Sequence, residues 1–220
     1  MIGTLRESSL HASLKEHYAR PGDELEAVRE GYVVDLVRPG ELVEFQTGGF
    51  GRLRPKLDAL LTHHRVRVVH PVAVERMLVR IDGDGVVTSR RRSPVRGCHL
   101  SLFDELVAIP ALVTHPGLTF EVALVRVEEH RVDAPRTRRR RKPWQIVDRV
   151  LVEVVSRRTL ELDGVLPPEL ADPFTTAELA ELHEIDRALA QRIAYTLHGA
   201  GIVARDGKRG RAHAYRRVHE

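Results

Sequence analysis

The chain has 220 residues, of which 42% are hydrophobic and 30% charged, with a formal net charge of +4. That is enough apolar material for a real core and enough length for more than one domain. The single cysteine, Cys98, excludes an intrachain disulfide and a cysteine-based zinc site and points to a reducing compartment. Residues 1–18 are polar and amphipathic, and no apolar run approaches the ~20 residues of a membrane span. The expectation is a cytoplasmic protein with no membrane partner. Lysines occur only at Lys15, Lys56, Lys142 and Lys208, so the positive charge is nearly all arginine. Guanidinium forks match phosphate geometry, although genomic base composition could produce the same bias.

In chain order, Leu5, Leu10, Leu14 and Tyr18 recur at helical spacing over residues 4–18, and Pro21-Gly22 ends that segment. Residues 23–28, 32–37 and 42–47 read as three short strands joined by a turn at Arg29-Glu30-Gly31 and another at Pro39-Gly40. After Gly48-Gly49, Leu53, Leu57, Leu60 and Leu61 predict a helix over 53–64. Residues 65–71 form a β-branched strand, the crossover arrangement that makes a parallel pair.

Each of the second and third strands carries a carboxylate inside an apolar run: Asp35 in Tyr-Val-Val-Asp-Leu-Val and Glu44 in Leu-Val-Glu-Phe-Gln. A charge in a strand centre is costly to bury unless it is paired or binds a cation. Alternation sets Glu44 and Gln46 on one face, and Asp35 can meet them across the hairpin at roughly 5 Å between Cβ atoms. Hard oxygen ligands at that separation suit Mg²⁺ or Mn²⁺. The bland alternative is a hairpin whose polar face is simply wet.

The order helix, three-stranded meander, helix, strand, with Asp35 in the second strand and Glu44-Phe45-Gln46 in the third, resembles the PD-(D/E)xK nuclease superfamily over residues 1–75. The resemblance implies an α/β, mixed-sheet, restriction-endonuclease-like core and a Mg²⁺-dependent endonuclease that hydrolyses DNA phosphodiesters, with a homodimer as a common form. It implies metal binding by Asp35 and Glu44 together with an acid from the first helix. That acid is Glu7, placed as in the archaeal Holliday-junction resolvase branch, with Glu16 as the alternative. Gln46 stands where the family has lysine; glutamine can position a water but brings no charge. Lys15 or Lys56 could supply that charge from a helix. His11, one turn after Glu7, could approach the metal or a phosphate.

Residues 76–168 form a basic middle region that can extend the core. A strand over 74–81, a turn at Gly83-Asp84-Gly85, a basic loop over 89–97, a short helix over 100–108 and a strand over 118–127 are expected. Arg136, Arg138, Arg139, Arg140, Arg141 and Lys142 then make a self-repelling block, read as an exposed arm that touches phosphates or simply stays solvated. Trp144 beside it reads as a core residue, with base stacking as the alternative. Residues 146–155 are helix or strand; periodicity does not decide.

Residues 169–220 are clearer. Thr175 and Glu178 have capping-box spacing before Leu179 and Leu182, and a second helix runs to about His198. Strands over 202–204 and 212–217 flank Asp206-Gly207-Lys208-Arg209-Gly210-Arg211. This layout resembles a winged helix-turn-helix. The resemblance implies that Arg187, Gln191 and Arg192 lie on a recognition helix and that Lys208, Arg209 and Arg211 touch DNA phosphates from the wing. The rival expectations are a non-catalytic DNA-binding protein with a degenerate nuclease fold and a protein-interaction module. The twelve histidines show no zinc spacing, and neither a phosphate-binding GxxxxGK[ST] nor GxSxG occurs.

Overall fold

The computed structural model describes residues 8–134 and 143–218. Helix α1 (Ser9–Tyr18) begins where the Ser8 side chain accepts the His11 N–H, and it ends just before Pro21. Strands β1 (Glu24–Arg29), β2 (Tyr32–Arg38) and β3 (Glu41–Phe45) follow as an antiparallel meander. Gly31 and Gly40 make the two turns at φ +78° and +80°, a conformation that costs glycine little. A 3-10 turn and α2 (Arg54–Leu60) then cross over to β4 (Val66–Ile81), which pairs parallel to β3 from Leu42 opposite Val66 to Phe45 opposite Val69.

The expected stop at Pro71 does not occur, because β4 runs on to Ile81. Arg65 and Val69 accept from Leu42 and Gln46 of the neighbouring segment, so alternate residues, Pro71 included, turn their backbone to the β3 side. β3 pairing ends at Val69, and the proline's missing N–H falls where no strand waits for it. Further along the same edge β5 (Val87–Arg92) pairs antiparallel with Met77–Ile81. Half of the expected basic loop is therefore a strand.

The 3-10 turn His99–Leu102 and α3 (Phe103–Leu106) stand where one short helix over 100–108 was expected, and another 3-10 turn, Pro110–Leu112, follows it. Strand β6 (Leu118–Asp133) then pairs parallel with β4 along its whole length, and β7 (Trp144–Thr159) returns antiparallel beside β6. The result is a mixed α/β fold around a sheet ordered β1-β2-β3-β4-β6-β7, with β5 on the free edge of β4. A division after residue 75 would fall inside β4.

Helix α1 covers one face of the sheet, packing Leu10, Leu14 and Tyr18 on Val43, Phe45, Val69, Ala123 and Val125. The opposite face carries the larger core, including Phe50, Leu57, Leu60, Phe103, Leu106 and Phe120. After α4 (Leu162–Val165) the chain adds β8 (Phe174–Thr175), α5 (Thr176–Leu182), α6 (Arg187–Gly199), β9 (Val203–Arg209) and β10 (Ala212–Arg217), with a second sheet ordered β8-β10-β9. Leu189, Ile193 and Leu197 of α6 belong to the same core cluster as Phe103 and Leu106, so the C-terminal unit is seated on the sheet. No helix among the described residues is long and apolar enough to cross a membrane.

The capping box at α5 forms as the spacing predicts: Thr175 Oγ1 accepts the Glu178 N–H, and the Glu178 carboxylate accepts the Thr175 N–H at 2.7 Å. Thr175→Ala leaves a helix-terminal N–H unmet and is expected to cost about 1 kcal/mol, read as a lower urea midpoint with an unchanged m-value.

Candidate active site

Asp35 and Glu44 meet where the β2–β3 hairpin opens. Ladder pairing runs only from Leu36 opposite Val43 to Arg38 opposite Glu41. Just beyond, Asp35 Oδ2 accepts the Phe45 N–H at 2.7 Å, taking the place of a ladder carbonyl. Both acids are buried, at 9% and 8% exposure, so neither is the solvated face of a hairpin. Glu44 Oε1 is held by the Lys56 ammonium from α2, and that ammonium also donates to the Val33 carbonyl at 2.6 Å. Glu44 Oε2 is buried and has no hydrogen-bond partner among the described residues. Burial and the charge of Asp35 push the Glu44 carboxyl up to about 7, against the opposing pull of Lys56.

His11 Nε2 lies 3.2 Å from Asp35 Oδ2, so the histidine kept open by the sequence does reach the acid pair. Gln46 is less available. Its side-chain Nε2 donates to the Gly49 carbonyl at 3.1 Å, and its own carbonyl accepts from His70 Nδ1 at 2.7 Å. Burial lowers the pKa of His70, whose Nδ1 hydrogen is committed to Gln46.

One acid was not legible as a site residue. The β1–β2 register, with Leu25 opposite Leu36 and Ala27 opposite Val34, sets Glu26 across from Asp35. Glu26 has φ +50°, a left-handed conformation that costs a side-chain-bearing residue on the order of 1–3 kcal/mol. It holds Lys15 Nζ at 2.6 Å. The parity of Glu24-Leu25-Glu26 relative to Asp35 was the available signal, but it requires knowing the register. His11, Lys15, Glu26, Asp35, Glu44 and Lys56 thus line one open cleft of about 510 Å³.

Two buried carboxylates of like charge, one with an unpartnered oxygen, suit a hard divalent cation. No group of three or more His, Cys, Asp or Glu side chains able to enclose one occurs among the described residues. Glu7 lies outside the described residues, as do Arg138, Arg139, Arg140, Arg141 and Lys142. Glu16, the alternative helical acid, does not line this cleft; it lies in an adjoining surface hollow with Ala12, Ala19 and Leu25, which shares Lys15 and Glu26 with the cleft.

Of the C-terminal DNA-binding candidates, Arg187, Gln191 and Arg211 line one groove with His213 and Tyr215, and Lys208 is exposed on β9. Arg192 is directed elsewhere: it pairs with Asp104 of α3 at 3.0 Å and ties the C-terminal unit to the sheet. Arg209 folds back onto Glu178 at 2.6 Å and onto the Pro173 carbonyl. Trp144 is half-exposed rather than core, with the Arg131 guanidinium 3.6 Å above its ring.

The model of the family described as a domain of unknown function (DUF8091) matches residues 8–161. An uncharacterized protein of Treponema pallidum (strain Nichols) is 33% identical over 222 residues, covering 98% of this chain and 87% of that protein. No solved structure matches the chain. The family match begins at the cap of α1 and runs just past the end of β7, taking in the whole of the large sheet and its carboxylate cleft: the chain belongs to the DUF8091 family.

Proposed function

We propose that the chain is a divalent-metal-dependent DNA endonuclease whose core is of the PD-(D/E)xK kind, directed to duplex by a C-terminal winged helix. The observation that carries this reading is the buried Asp35–Glu44 pair, with its unpartnered Glu44 oxygen, at the open end of the β2–β3 hairpin. Asp35 and Glu44 would hold Mg²⁺ or Mn²⁺. When bound, such a cation polarises a phosphodiester and offsets charge on the leaving oxygen. The chain's own groups do the rest. The Phe45 N–H and His11 orient Asp35, and Lys56 brings beside Glu44 the positive charge that the Gln46 position lacks. Lys15 lies in the same cleft, able to meet a phosphate. Arg187, Gln191 and Arg211, which share a groove on α6 and β10, would meet the duplex.

A second reading, a non-catalytic DNA-binding protein with a degenerate nuclease fold, is favoured by one observation. The Gln46 amide nitrogen, although Gln46 lines the cleft, is already committed to the Gly49 carbonyl. A cleavage assay separates the two. Supercoiled, branched and single-stranded DNA are incubated with and without Mg²⁺ or Mn²⁺, using the wild type, Asp35→Ala and Glu44→Ala. Metal-dependent cleavage by the wild type that both substitutions abolish is the expected result. Cleavage that survives both, or tight binding with no cleavage under any metal, sinks the enzyme. Because α6 shares the core, the duplex contact is tested by Arg187→Ala with Arg211→Ala rather than by truncation.

A further inference from the structure

Strands β4 and β6 outrun β3 and α1, and with β5 and β7 they form a four-stranded blade projecting from the core. Residues paired across neighbouring strands share a face, as do residues two apart along a strand. Arg80 pairs with Arg131 on β6 and with Ser89 on β5, while Leu78 pairs with Arg91 and with Glu129. Trp144 opens β7 opposite Asp133, two residues beyond Arg131. One face of the blade therefore gathers Arg80, Arg91, Arg131 and Trp144 around a pocket of about 130 Å³. Leu78 is buried beneath it, and Arg80 and Arg91 are exposed.

Like charges set opposite one another in a sheet repel. Asp133 holds Arg80 at 2.7 Å and Glu129 holds Arg131, whereas Arg91 has no acidic partner among the described residues. Guanidinium groups on the rim, an indole wall and an apolar floor combine two recognition chemistries. The Arg131 guanidinium stacked on the indole offers a plane that suits the face of a nucleobase, and Arg91 on the rim suits an adjoining phosphate.

We propose that this pocket binds an unpaired base of single-stranded nucleic acid, with Arg91 contacting a phosphate beside it. Because stacking needs an exposed base face, paired duplex is not its ligand. The inference rests on the nucleic-acid part of the function proposed above and is independent of the metal chemistry at Asp35 and Glu44. It uses none of residues 135–142.

Trp144 is the only tryptophan in the chain, so its fluorescence reports on this pocket alone. The full chain is titrated with an oligothymidylate and with a duplex of equal length, in chelator so that nothing is cleaved, at several salt concentrations. The expected result is saturable quenching by the single strand. Arg91→Ala, a change at an exposed position, should weaken binding about tenfold and make the log–log salt slope shallower by about 0.7, the value for one phosphate contact on a single strand. Binding without any fluorescence change, an unchanged affinity in Arg91→Ala, or stronger quenching by the duplex each overturns the proposal. Repeating the titration with Asp35→Ala keeps the two readings apart, since quenching that persists there alongside lost cleavage leaves this site standing. Quenching absent from an enzyme that still cleaves removes this site and leaves the nuclease.

Discussion

Glu44→Gln is expected to flatten a fall in stability that the wild type undergoes between about pH 4.5 and pH 7. The folded-state value of Glu44, about 7, lies above the ordinary 4.5. The native chain therefore holds that proton more tightly than the unfolded chain, and stability falls as pH rises through this window. Its contribution is fully present below 4.5 and gone above 7. At about 1.4 kcal/mol per pKa unit the loss is at most on the order of 3 kcal/mol. Glutamine carries no charge to desolvate, yet its amide oxygen can still accept from Lys56. The difference in urea-derived stability between variant and wild type should shift in the variant's favour across this window and stay level above pH 8. Added Mg²⁺ at pH 8 should restore stability to the wild type by binding the native state, with no effect on Glu44→Gln. A flat difference curve would mean that Glu44 ionises as freely in the folded chain as in the unfolded one.

Glu129 carries the opposite sign. It is 1% exposed beneath Arg131, whose Nε donates to it at 2.7 Å, and Arg149, at 3.2 Å, with Arg76 at 3.7 Å. Burial alone would raise its pKa, but the hydrogen bonds from Arg131 and Arg149 and the charges of Arg131 and Arg76 outweigh it and hold the group below the ordinary range. Its stabilisation is present above pH 4.5 and is lost as the pH falls through the depressed value. Glu129→Ala leaves three guanidinium groups crowded without their anion. Losing one partner of a buried ion pair costs about 3–5 kcal/mol, and the lower end is expected because Arg149, 40% exposed, can turn to water. The same substitution frees Arg131 from the carboxylate that orients it over Trp144. A shift in the tryptophan emission of the folded protein should therefore accompany the lower urea midpoint.

Several elements were readable before folding because their causes are local. The helical spacing of Leu10, Leu14 and Tyr18, the Pro39-Gly40 turn and the Thr175–Glu178 capping box each act within a few residues, and each appears where expected. Strand β7 was ambiguous because its alternation is interrupted: the ladder with β6 slips at three places, and each slip moves the apolar parity to the other face. Pro71 looked like a stop because its missing N–H matters only if a neighbour is waiting for it, and that depends on where β3 ends. The short basic stretch Arg90-Arg91-Arg92 looked like a loop because it buries nothing; β4 makes it a strand by offering a free edge.

The same division runs through the cleft. Sequence alone determined that Asp35 and Glu44 are carboxylates in apolar strands, that a lysine is absent at position 46, and that His11 lies on the first helix. Those statements depend on residue type and on periods of two and 3.6, which the chain carries in itself. Only the tertiary structure decided that Lys56 is the cation on Glu44, that Glu26 faces Asp35 across β1 and β2, that Arg192 is spent on Asp104, and that Trp144 shares a pocket with Arg80 and Arg91. Each of these depends on strand register or on how a helix is seated. Both are set by the whole buried core, which no short stretch of sequence contains.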